Sequence, residues 1–235
     1  MIATDKRSYY QDPRVVAGYE SWRFGSRGGR HVEERERAVV LRFLSQASRG
    51  ARILDMPVGT GRVARMLLAA GFSSVDGADL SDEMLRAARI NCGEGLMLSR
   101  QDAAHMGFAD SSFDAVVSMR FLFHYADAAT LLREIGRIVR RGGLVVFDTL
   151  TWSPRAVLPR VQSRLGGLVY PMAPAQVREQ SARAGLDIEE VEEVFLLPSL
   201  AYRFLPGALL RPVASLEGVL PSHWRTKCIW KARKR

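Results

Sequence analysis

A chain of 235 residues, 47% apolar and with a formal net charge of +9, is long enough to bury one sizeable core, and it shows no internal repeat. No run of 18 or more apolar residues is present and the first 30 residues are polar and charged, so a spanning helix and a secretory leader are both set aside and a cytoplasmic protein is expected. Cys92 and Cys228 supply neither a disulfide framework nor a metal-ligand cluster, so no metal is expected.

The charge is uneven. Residues 1–52 carry eleven basic against six acidic side chains and 196–235 eight against one, which leaves the middle slightly acidic. Thirty of the 34 basic residues are arginine, a bias that genome composition produces as readily as a binding surface, so nucleic acid is not the expected partner.

In chain order, Ser8-Tyr9-Tyr10 through Tyr19 to Phe24 forms an aromatic segment whose rings could cover a ligand with a polar tip turned inward, or simply anchor a helix. Gly25 to Gly29 mark a break. From His31, the spacing of Val32, Val39, Val40, Phe43 and Leu44 predicts a helix, interrupted at Ser45 to Gly50.

The stretch Ile53-Leu54-Asp55-Met56-Pro57-Val58-Gly59-Thr60-Gly61 then reads as a buried strand entering a glycine turn, followed by a helical pattern at Val63, Met66, Leu67 and Ala70. Gly59 and Gly61 allow a ligand to approach the backbone closely, and the amides at the helix start face it. Pro57 stands where a full three-glycine fingerprint has its first glycine, and the third is absent, so the glycines alone are a weak signal. Asp55, placed before the turn, suits a cationic or amine-bearing ligand rather than a phosphate.

A second short strand, Ser73 to Asp79, ends in a carboxylate able to accept both hydroxyls of a ribose, and Ser81-Asp82-Glu83 caps a helix carrying Met84, Leu85 and Ala88. A third strand around Leu96-Met97-Leu98 leads to Gln101-Asp102-Ala103, where a carboxylate could accept an exocyclic amine of adenine. A nicotinamide-binding domain would explain an acid after the glycines but neither Asp55 nor Asp102.

Asp55, Asp79 and Asp102 in this order, with the glycine turn, make the chain resemble the class I S-adenosylmethionine-dependent methyltransferases, in particular the group that includes the ubiquinone and menaquinone methyltransferases. The resemblance spans roughly Tyr9 to Asp148. It implies a Rossmann-like, doubly wound α/β fold with a mostly parallel seven-stranded sheet and an antiparallel last strand, read here as one domain over 1–235. Residues 1–50 would be an N-terminal helical lid, 51–150 the cofactor-binding half and 151–235 the acceptor-side half with a helical insertion at about 202–224. It also implies S-adenosylmethionine as cofactor: Asp55, Gly59 and Gly61 at its methionine end, Asp79 at the ribose, Asp102, Ala103 and Met84 around the adenine, with Met56, Pro57 and Leu80 as further cofactor-binding candidates. Met119 is a further candidate, and Tyr10, Tyr19 and Arg23 are candidates from the lid.

Phe108 to Ser118 feeds a fourth strand ending in Met119-Arg120-Phe121-Leu122-Phe123-His124-Tyr125, and residues just beyond a parallel strand line the ligand crevice of open α/β sheets. Arg120 and Phe121 are therefore candidates for holding the acceptor; Arg120 could orient a carboxylate or phosphate, with a surface salt bridge as its alternative. His124 is the candidate general base, the alternative being a histidine packed beneath the lid. Enzymes that methylate exocyclic nitrogens of bases carry an Asn/Asp-Pro-Pro-aromatic motif here, which Met119-Arg120-Phe121-Leu122 does not match.

Thr130 to Arg141 is predicted as a helix stopped by Gly142-Gly143, with Leu144 to Phe147 as the fifth strand. The apolar connection from Thr151 to Tyr170, broken at Pro154, Pro159 and Gly166-Gly167 and carrying Val161 and Leu165, is expected to pack over the mouth of the site. Pro174 opens a helix ending at Gly185, Ile188 to Leu197 reads as the sixth strand, and Thr226 to Lys231 as the last. Between them, 202–224 has apolar residues with arginines and no clean polar face; burial as a pocket wall or dimer contact is favoured over peripheral contact with a membrane.

The expected activity is methyl transfer by direct displacement to oxygen or carbon of a small or lipid-like acceptor, by a monomer or homodimer. An RNA-directed enzyme using the basic ends, or a non-catalytic cofactor-binding partner protein, are the alternatives.

Overall fold

Neighbouring residues of an extended strand face opposite sides of a sheet, and both sides of this sheet are covered. Ile53 packs with Phe43, Leu44, Leu67 and Val117, whereas Leu54 packs with Phe113, Val116, Leu132 and Phe147. The computed structural model describes residues 10–158, 160, 162 and 167–235. Its strands are β1 (Arg52–Asp55), β2 (Ser74–Asp79), β3 (Met97–Arg100), β4 (Phe113–Ser118), β5 (Val139–Leu150), β6 (Leu186–Val194) and β7 (Lys227–Lys234). They form one sheet in the order β3-β2-β1-β4-β5-β7-β6, parallel except for β7, which runs antiparallel between β5 and β6.

The helices are α1 (Pro13–Phe24), α2 (Arg27–Phe43), α3 (Arg62–Ala69), α4 (Asp82–Cys92), α5 (Ala129–Ile138), α6 (Pro174–Arg183) and α7 (Gly207–Val219). None among the described residues is long and apolar enough to cross a membrane. Successive strands step outward from β1 to β3 and then return to β4 on the other side of β1. That reversal opens a crevice beyond the carboxyl ends of β1 and β4, where an open α/β sheet binds its ligand.

Three expectations need correction. The helix read as Thr130 to Arg141 ends at Ile138, and Arg140 and Arg141 lie in β5, because Val139 already pairs with Phe113 of β4. The chain then bends at Gly142, φ +76°, and a side chain at Gly143 would strike the Asp114 carbonyl at 2.8 Å. The strand expected from Ile188 to Leu197 starts earlier, at Leu186, and stops at Val194, with Phe195 at φ +67°.

The third correction concerns the insertion helix as a pocket wall within this chain. No residue of α7 is buried, and Val219 is 82% exposed. Only Leu210 and Val213, three apart on one face, pack against the core. The preceding turn is anchored instead by Tyr202, which is fully buried and whose hydroxyl donates to Glu217. Of the connection from Thr151 to Tyr170, Val169 packs with Phe123 and Leu150, while Pro159, Val161, Leu165 and Gly166 lie outside the described residues.

Candidate active site

The glycine turn is fixed to the sheet by backbone bonds: Met56 N donates to Val117 O at 2.9 Å and Val58 N to Ala78 O at 2.8 Å. Gly59 has φ +53° and open space where a Cβ would stand, so the turn presents bare backbone to the crevice. Gly61, φ +87°, has a different reason to be glycine: a Cβ there would come within 2.6 Å of Cys92 Sγ on α4.

Two carboxylates serve this turn. Asp79 Oδ2 accepts from Gly59 N and its Oδ1 from Ser81 N, both at 2.9 Å, which leaves further lone pairs on a carboxylate facing the crevice. Burial raises its pKa, against the pull of the Ser81, Gly59 and Leu80 amides. Asp55 is 1% exposed; Oδ2 accepts from Ala64 N at 2.9 Å, and the buried Oδ1 has no hydrogen-bond partner. Burial pushes this carboxyl well above the ordinary range; the Ala64 amide and Arg62 offset that only in part.

A cavity of about 400 Å³ opens over the turn. Pro57, Gly59, Asp79, Leu80 and Met84 line one part of it, and Met119, Arg120, Phe121 and His124 another. Tyr10 and Tyr19 line it from the N-terminal segment, their rings edge to face at 6.1 Å. That segment is tied across the mouth: Ser81 Oγ donates to Tyr10 O at 2.7 Å, and Glu20 on α1 accepts from Thr60 Oγ1 at 2.7 Å and pairs with Arg65.

The other sequence-predicted residues are not brought to the lining. Asp55 and Gly61 stand behind the turn, and Met56 and Ala103 are packed in the core. Asp102 closes a local turn, its Oδ1 accepting from Ala104 N at 3.0 Å. Arg23 lines a second cavity instead.

Sequence reasoning missed the charge cluster behind Arg120. Glu36 of α2, 1% exposed, accepts from Lys227 Nζ at 2.6 Å, Arg62 Nη2 at 3.1 Å and Arg120 Nε at 3.3 Å. Lys227 also pairs with Asp148, whose Oδ1 accepts from the Arg120 amide at 2.6 Å. Burial works against the Glu36 charge, but Arg120, Lys227 and Arg62 outweigh it and hold the carboxyl far below its ordinary value. Arg120 has φ +61°, a strained conformation for a side-chain-bearing residue, held by these contacts at the end of β4. The only sequence signal for the cluster was an acid, Glu36, in a position that a helix from His31 turns toward the core.

The turn and its two acids fit S-adenosylmethionine. The Asp55 oxygen without a partner suits an ammonium donor, the open backbone at Gly59 admits close approach, and the Asp79 carboxylate suits a diol.

Residues 54–147 match the family model described as methyltransferase domain. The ubiquinone biosynthesis O-methyltransferase of Aeromonas salmonicida is 29% identical over 192 residues, covering 74% of this chain and 78% of that protein. The one from Thiobacillus denitrificans is 29% identical over 163 residues, covering 60% and 67%. In fold, the chain is similar to the magnesium protoporphyrin IX methyltransferase of Synechocystis PCC 6803, solved with bound SAH, at TM-score 0.67, 18% identity and 97% and 98% coverage.

Proposed function

From a chain that belongs to the class I S-adenosylmethionine-dependent methyltransferases, we propose an enzyme that methylates oxygen or carbon of a small or lipid-like organic acceptor. The observation that carries this reading is the composition of the cavity: a polar end at the glycine turn and Asp79, and an aromatic end at Phe121, His124, Tyr125 and Tyr170. The first suits a nucleoside and an amino acid; the second suits a flat or apolar acceptor. The Aeromonas and Thiobacillus relatives are ubiquinone biosynthesis O-methyltransferases, which points the same way.

When bound, S-adenosylmethionine supplies an electrophilic methyl group on sulfur. Asp79 would hold the ribose, Leu80 and Met84 would flank the adenine, and Gly59 with Asp55 behind it would take the amino acid end. Tyr10 and Tyr19, pinned by Ser81 and Glu20, cover the site and exclude water, and in-line alignment is then the protein's main contribution. His124 stands at the acceptor end, where an imidazole can take the proton of a hydroxyl acceptor.

Calorimetric titration with S-adenosylmethionine and S-adenosylhomocysteine, followed by mass-spectrometric assay against phenols, lipid-like acids and bulk RNA, tests the reading. Cofactor binding with methyl transfer to a small acceptor is expected. Transfer to RNA alone would overturn the acceptor class.

A further inference from the structure

A second cavity, of about 240 Å³, shares Arg120 with the first. Its described walls are apolar at Phe123, Leu150, Trp152, Leu200 and Phe204, and every charged residue on them is a cation: Arg23, Arg120, Arg155 and Lys227. The carboxylates that pair with Arg120 and Lys227 are Glu36 and Asp148, and both are set back from either cavity. That cluster holds three cations, Arg62, Arg120 and Lys227, against two carboxylates, so a positive charge is left over at the junction.

Two donors there are uncommitted. Arg23, whose guanidinium lies over the rings of Tyr19 and Trp22 at 5.4 and 5.8 Å, has no hydrogen-bond partner for its buried Nε. Arg120 spends Nε on Glu36 and Nη2 on Ser199 Oγ, which leaves Nη1. Arg155 differs, since its Nε and Nη2 already donate to the Gly167 carbonyl. Excess positive charge and an unpaired guanidinium donor in an apolar cavity are costly when empty, and a bound carboxylate relieves both.

We propose that the second cavity is a subsite for an organic acid, its apolar body against Phe123, Leu150 and Leu200 and its carboxylate held by Arg23 and Arg120. The methyl acceptor is then an amphipathic acid, a consequence that rests on the methyltransferase reading, whereas the binding site itself does not.

The test is calorimetric titration of the S-adenosylhomocysteine-saturated protein with octanoate, octanol and octylamine. Octanoate binds, octanol binds at least about 10-fold more weakly, and octylamine gives no heat. Arg23→Gln lowers octanoate to the level of octanol and leaves the affinity for S-adenosylhomocysteine unchanged. Leu200→Trp, which fills the cavity, removes both, and near-ultraviolet circular dichroism verifies that each variant is folded.

Equal affinity for octanoate and octanol overturns the assignment, as does an octanoate advantage that survives Arg23→Gln or binding that survives Leu200→Trp. Loss of S-adenosylhomocysteine affinity in Arg23→Gln would give Arg23 to the cofactor and overturn it too. Failure of the wild type to bind S-adenosylhomocysteine instead refutes the methyltransferase reading, and the octanoate series on the unliganded protein is then read separately.

Discussion

The glycine-turn end of this cleft and the Arg120 end, proposed above to take the acceptor, are assembled by different means. At the glycine turn the decisive bonds are short in sequence and made to backbone: Asp55 reaches Ala64, nine residues on, and Gly59 reaches Asp79, twenty on. At the acceptor end they join side chains from distant parts of the chain: Arg120 to Glu36, 84 residues apart, and Lys227 to Glu36, 191 apart. A local, backbone-built site is formed once its strands are in register. A long-range charge cluster is complete only when α2, β4, β5 and β7 have all docked, so the acceptor end is coupled to global stability far more closely than the cofactor end.

The largest effect expected from that difference is on folding. Glu36→Gln leaves Arg62, Arg120 and Lys227 facing Asp148 alone, and breaking a buried ion pair from one side costs about 3–5 kcal/mol. Denaturant unfolding should show this loss; a change below about 1 kcal/mol would mean the cluster is not what holds the acceptor end. The pH dependence has a definite sign. The Glu36 carboxyl is held below its ordinary value of 4.5, so its contribution is present above that value and lost on acidification beneath it. Wild-type stability should therefore fall more steeply than that of Glu36→Gln below about pH 4.5.

Asp79→Ala should act the other way round, on binding more than on folding. It removes a charged acceptor facing the crevice, worth about 2–3 kcal/mol or some 30- to 150-fold in cofactor affinity by calorimetry. Asp55→Asn divides the two effects. Burial raises this carboxyl, so its favourable contribution to stability is present at low pH and lost as pH rises through the raised value. At pH 8 the unliganded Asn variant should be more stable than wild type by about 1 kcal/mol while binding the cofactor more weakly. A variant that binds normally would show that the unpaired oxygen serves no ligand.

The same division decides how much the sequence could reveal. The strand, turn and helix around Asp55 were legible because apolar runs, two glycines and a following helical period lie next to one another, and the tip of β2 followed from the same rule. Glu36 was legible only as an acid on the same helical stripe as Val32 and Val40, and Lys227 not at all, since a lysine in a last strand looks like a solvated residue until the fold buries it. The junction at Val139 was misread because Leu131, Leu132, Ile135, Ile138 and Val139 keep helical spacing, and only pairing with Phe113 turns the last of them into a strand residue. The exposure of α7 was misread for the opposite reason: apolar content was high, but only the Leu210 and Val213 stripe finds a partner.

Asp102 gives the smallest expected effect and the sharpest limit on the contrast. It was placed near the adenine by its order in the chain, yet its Oδ1 accepts from Ala104 N in a turn that also pairs Asp102 with His105. Short acidic side chains stabilise such turns by this bond, and an asparagine can make it equally well. Asp102→Ala should cost at most about 1 kcal/mol of stability, and Asp102→Asn should restore it. Cofactor affinity should change by less than about 2-fold in both variants. A 10-fold loss of affinity that Asn does not repair would mean that this carboxylate turns to the ligand on binding. The cofactor end would then depend on movement of a loop, and its independence from the rest of the fold would hold only for the Asp55 and Asp79 half.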